Sequence, residues 1–231
     1  MQNSTAGKPG ESPVRDGFVQ RFFGVLTSPR ASFENIAAHP TWLAPLLVIL
    51  VVSLISFYFI GDIIIQGGLE QSGQLEQMSA DDVANALKYG KWFAIVTMLV
   101  SIPLTYVVIA GILLFVGNVI MGGESSFKAM LAVSAWAGIV TVIAAVINVP
   151  FIMQKGVFQS ATSLVFLADD PKSLMYFLFS QIDLFTIWTT ILYGIGLAAA
   201  NAWESSKGIT VTLGLWVFYL VVMLGIKAIT A

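Results

Sequence analysis

Apolar positions fall in long uninterrupted runs, not in the alternation of a half-buried strand or the narrow stripe of a soluble helix. Charge-free intervals extend from Trp42 to Gly61, Trp92 to Gly123, Ala129 to Gln154, Leu184 to Trp203 and Gly208 to Ile226. Each approaches or exceeds the ~20 residues with which an α-helix crosses ~30 Å of hydrocarbon. Each is apolar on every side, whereas a membrane barrel strand alternates over about ten residues. The pattern predicts an all-α integral membrane protein with five transmembrane helices, over about 42–65, 91–121, 127–150, 183–203 and 208–229.

The segments outside these runs have their own patterns. Residues 1–14, MQNSTAGKPGESPV, are rich in Ser, Gly, Pro and Asn, and predict a disordered tail. Over residues 15–40 the apolar positions recur at helical spacing: Phe18, Val19, Phe22, Phe23 and Leu26, then Phe33, Ile36 and Ala37. Thr27 or Ser28 can cap a second helix beginning at Pro29, and His39-Pro40 stops it. Two short amphipathic helices at the membrane interface are therefore expected before the first span.

In the first outer loop, Ser79 with Asp82 resembles a capping box and predicts a surface helix leading into span two. The second outer loop, residues 155–182, is apolar but broken by Asp169, Asp170 and Pro171. Two interfacial helices are expected there, the second capped by Asp169 or Asp170, with a re-entrant pair as the alternative. The membrane domain thus occupies 41–231.

Composition supports this class. Of 231 residues, 57% are hydrophobic and 10% charged, against about 25% charged in soluble domains. There is no cysteine, which excludes disulfide, thiolate-metal and thiol-nucleophile chemistry. The first apolar run is too long for a cleavable signal, so it should act as its own insertion signal. All three arginines, Arg15, Arg21 and Arg30, precede span one with Lys8, while Lys128 and Lys207 follow spans two and four. This bias predicts a cytoplasmic N-terminus in a cell inner membrane and, with five spans, an outside C-terminus.

Candidate chemistry is sparse. Asp62, Lys91, Asp183 and Lys227 fall where spans reach the outer boundary, with Asn148 near the end of span three. They could form a polar cluster that binds a lipid headgroup or gates a path, or simply mark where helices leave the bilayer. Small residues four apart, Ser134 with Gly138, Gly194 with Ala198 and Gly196 with Ala200, predict close helix approach in spans three and four. That approach could be internal or a self-association contact. Within span two, Pro103 can be accommodated by Ser101 or Thr105. His39 reads as a helix-end residue, and no serine-base set, zinc motif, P-loop or dinucleotide fingerprint occurs. No enzyme, cofactor or metal is indicated, and the basic residues are too few for a nucleic-acid stripe.

Three ordered segments carry a family resemblance: FFGVLTSPRASFENIAAHPTWLAPLLV (22–48), GGESSFKAMLAVSAWAG (122–138) and DLFTIWTTILYGIGL (183–197), with SSKGITVTLGLW following. Together they resemble the prokaryotic branch of the Yip family of Ypt/Rab-interacting membrane proteins. The resemblance implies a five-span fold with a cytoplasmic N-terminus and no catalysis. Eukaryotic relatives associate with Rab-type GTPases, act in vesicle traffic and membrane shaping, and carry an acidic-aromatic motif in a long N-terminal region. Nothing before Trp42 matches that motif, so the resemblance does not extend to GTPase binding.

The sequence thus points to a non-enzymatic organiser of the bilayer or of membrane-protein partners. Its expected partner surface comprises Phe22, Arg30, Phe33, Glu124, Lys128, Glu204 and Lys207. The rival readings are a small permease, channel or lipid-moving protein with a polar outer cavity, and a subunit that stabilises a larger complex.

Overall fold

The computed structural model describes residues 16–168, 170–171 and 173–230. The expected tail over 1–14 and the possible cap Asp169 lie outside the described residues. Nine α-helices follow one another among those described: α1 Phe18–Thr27, α2 Pro29–Ala38, α3 Leu43–Gln71, α4 Ala80–Leu114, α5 Phe127–Ala137, α6 Val140–Lys155, α7 Leu174–Gln181, α8 Leu184–Ala200 and α9 Ser205–Thr230. Among the described residues there is no strand, only an isolated antiparallel bridge between Ser163 and Asp183.

Four stretches are long and apolar enough to cross a membrane: Leu43–Glu70, Ala80–Ile120, Phe127–Lys155 and Ser205–Ile229. The remaining expected segment is α8, with 17 residues. At 1.5 Å per residue it is about 26 Å long, because Asp183 caps one end and Asn201 terminates the other. It is the central helix, packed by α2, α5, α6 and α9.

Two segments differ from their sequence expectation. The surface helix expected after Ser79 is not separate from span two. Ser79 does cap it, its Oγ accepting from the Asp82 N–H at 3.2 Å, but nothing then breaks the helix, which runs on to a π-helical turn at Phe115–Ile120. The 41 residues from Ala80 to Ile120 span about 60 Å, twice the hydrocarbon thickness. The helix passes through Pro103, and the Thr105 hydroxyl donates to the Ser101 carbonyl at 2.8 Å.

Span three, expected as one helix, is broken into α5 and α6 at Gly138 and Ile139. There the backbone tightens to three-residue hydrogen bonds, Ile139 to Trp136, Thr141 to Gly138 and Val142 to Ile139.

The core lies around α5, where every residue from Ala129 to Val140 is buried. Against it and α8 packs α2, whose Phe33 and Ile36 are fully buried. The helix expected at the membrane interface is therefore also a core element. In the last long loop, Ser173 caps α7 by accepting from Tyr176 N at 3.1 Å. The cap position expected of Asp170 is thus taken by Ser173, whose hydroxyl donates to the Asp170 carbonyl at 2.7 Å.

Candidate functional site

The face carrying α1 and α2 is held together by a set of side-chain ties. Arg21 lies on one helical line with Phe18 and Val25, inside the apolar stripe of α1, and is buried. Its guanidinium donates to the His39 carbonyl at 3.0 Å, to Thr41 Oγ1 at 2.7 Å and to Asn35 Oδ1 at 2.7 Å. These bonds fix α1 to the end of α2 and to the residues entering α3. Trp136 of α5 donates its indole N–H to the Thr41 carbonyl at 2.7 Å, and its ring centroid lies 5.2 Å from that of Phe18.

A second knot holds the turn between α4 and α5. The π-helical turn aims Asn118 at Ser125, whose backbone N–H and carbonyl both pair with its amide at 3.1 and 2.8 Å. From the end of α8, Asn201 Oδ1 accepts the backbone N–H groups of Glu124 and Ser125 at 3.0 and 3.2 Å. Arg30 of α2 then donates to the Trp203 carbonyl at 2.5 Å and pairs with Glu34. Lys207 stands 3.9 Å over the Trp203 ring.

The expected partner-surface residues therefore divide. Arg30, Glu124, Glu204 and Lys207 are drawn together around the Asn201–Ser205 turn, and Glu124, Lys128, Glu204 and Lys207 are exposed. Phe22 is half-buried against the core. Phe33 does not belong to this surface. It is 0% exposed because Gly196 leaves room for its ring, which a Cβ there would meet at 3.1 Å.

At the opposite face, the expected polar cluster splits. Lys91 pairs with Asp62 at 2.7 Å, both partly solvent-exposed. Asp183 instead caps α8, accepting from Phe185 N and Thr186 N through Oδ1, while Oδ2 accepts the hydroxyls of Ser160 at 2.6 Å and Thr162 at 2.5 Å. Asn148 joins that network, accepting from Ser160 Oγ and Ala161 N. Lys227 sits in the last turn of α9.

The small residues face inward. A Cβ on Gly194 would meet the Ile209 backbone at 2.5 Å, and one on Gly208 would meet Ala198 Cβ at 2.9 Å. The Ser134 hydroxyl donates to the Tyr106 carbonyl at 3.1 Å, with Gly138 beneath the same tyrosine ring. Ala200 packs against the core. In this packing α2, α4, α5 and α9 occupy the spaces beside Ser134, Gly138, Gly194, Gly196 and Ala198.

Sequence reasoning missed the part played by Arg21, Asn118 and Asn201. The signal for Arg21 was its place between Phe18 and Val25 on the buried line. For Asn118, it was its position beside the Gly122-Gly123 turn.

Helices tied to one another by polar side chains, around a small-residue centre, define a multi-pass helical membrane protein. The chain belongs to the Yip1 domain family, whose domain matches residues 23–226, from within α1 to the last turns of α9. It is 23% identical over 193 residues to the membrane protein YknW of Bacillus subtilis (strain 168), a likeness that covers 80% of each chain. No solved structure matches it.

Proposed function

We propose that this Yip1-family protein is a non-enzymatic organiser in a cell inner membrane. In this reading it crosses five times, with α8 as the short fourth crossing and the N-terminus in the cytoplasm. Membrane-protein partners bind its cytoplasmic face. The observation that carries this is the convergence of Glu124, Glu204, Lys207 and Arg30 on two turns fixed by Asn201. Charged side chains on a pre-formed platform lose little conformational freedom on binding, which favours recognition. No GTPase is invoked.

Deleting α1 and α2 would not test this, because Val25, Phe33 and Ile36 are core residues. The informative variant reverses exposed charges: Glu124→Lys, Lys128→Glu, Glu204→Lys and Lys207→Glu together. Partner recovery from native membranes is expected to fall about tenfold, equivalent to ~1.4 kcal/mol, with an unchanged size-exclusion profile. Undiminished recovery rejects the proposal.

A second reading, a permease or lipid mover, has one observation in its favour. A cleft of about 490 Å³ between α4, α6, α8 and α9 is floored by Thr141, Thr189 and Thr190 and reaches Asp183. Against it, those three hydroxyls donate to backbone carbonyls of their own helices or turns, and Asp183 is engaged in capping. Proteoliposomes that carry no ion, solute or labelled-lipid flux remove this reading; flux abolished by Asp183→Asn would establish it.

A further inference from the structure

Where α1 crosses the start of α3 there is a cavity of about 720 Å³, within the 300–1,000 Å³ usual for ligand sites. Its lining is graded. One end is polar, with Asp16, Arg21 and Thr41; the other is formed by Leu43 and Leu47 of α3, which are 54% and 49% exposed. Trp42 and Trp136 also line it, and tryptophan is a side chain favoured at headgroup depth.

The polar end carries both signs of charge, on Arg21 and Asp16, which meet at Asn35. Asn35 Oδ1 accepts from Arg21 Nη2 at 2.7 Å and from the Asp16 backbone N–H at 3.3 Å. This places a carboxylate-bearing residue beside the guanidinium. The N-terminal end of α1, at Gly17, also lines the cavity, and the helix dipole there favours an anion.

We propose that this cavity binds one membrane phospholipid with an ethanolamine headgroup. Its phosphate lies toward Arg21 and the α1 N-terminus, its primary ammonium toward Asp16, and one acyl chain along Leu43 and Leu47. A guanidinium suits phosphate. A primary ammonium can donate hydrogen bonds to a carboxylate, which a choline group has no N–H to do and a glycerol headgroup has no charge to match. The proposal stands apart from partner binding on the charged platform, and its readout is independent of it.

The test is native mass spectrometry of the purified full chain equilibrated with equimolar phosphatidylethanolamine, phosphatidylglycerol and phosphatidylcholine of identical chains. The wild type is expected to retain one phosphatidylethanolamine at least threefold over either competitor. Asp16→Lys should turn the preference toward phosphatidylglycerol, and Leu47→Trp, filling the apolar end, should lower retention of all three. Glu204→Lys makes the same charge change at an exposed site outside the cavity and should leave selectivity unaltered.

Equal retention of the three lipids, or the same response to Glu204→Lys as to Asp16→Lys, would overturn the proposal in favour of annular lipid. Displacement of the lipid by excess inorganic phosphate would overturn it in favour of a soluble-anion site.

Discussion

The α5–α8 centre and the α3–α4 pair are built from almost equally apolar residues yet have opposite surroundings. Along α5 every side chain from Ala129 onward is buried. Along α3 and α4, Tyr58, Phe59, Trp92, Phe93 and Val100 are exposed. Lipid tails are as apolar as leucine, so hydrophobicity alone does not decide which helix goes inside. Residue size and polar reach do: α8 offers Gly194, Gly196 and Ala198, and α5 offers Ala132, Ser134 and Ala137. Large apolar residues on α3 and α4 lose little by facing acyl chains.

The sharpest way to break this contrast is to enlarge a glycine in each region. Gly194→Leu drives a side chain into the α9 backbone at Ile209 and should cost ~3 kcal/mol or more, seen as loss of monodisperse protein after detergent extraction. Gly111→Leu on α4, where a Cβ meets nothing within 4 Å, should extract normally. Equal behaviour of the two would refute the distinction.

Next in size is Arg21→Met, which strips partners from His39, Asn35 and Thr41 and should destabilise by ~2–3 kcal/mol in SDS titration followed by circular dichroism. Arg21→Lys should rescue little, because an ammonium does not reproduce the forked donor geometry. Asp183→Ala should lower stability by ~1 kcal/mol in the same titration through loss of the α8 cap. Least affected should be Lys91→Met in the α3–α4 hairpin, whose exposed ion pair is worth below ~1 kcal/mol.

The apolar segments were legible because burying charge in hydrocarbon is costly, which leaves charge-free intervals as their outline. The cap at Ser79 was legible too, since its partner Asp82 lies three residues away. Phe33 was not, because an apolar side chain at a helix face reads alike whether it meets lipid or protein. The tie from Arg30 to Trp203 was hidden for another reason. Its acceptor is a backbone carbonyl 173 residues away, and a carbonyl leaves no mark in the sequence. The break at Gly138 was masked by the same apolar continuity that revealed the span.

That 173-residue separation also bears on biogenesis. Helix α2 is made long before α8 and the start of α9, yet its seat is complete only when they exist. Until then Phe33 lacks the part of its surroundings that Gly196 of α8 provides. Docking of α2 is therefore completed late, and a nascent chain halted before residue 184 should leave α2 incompletely packed and more open to proteolysis.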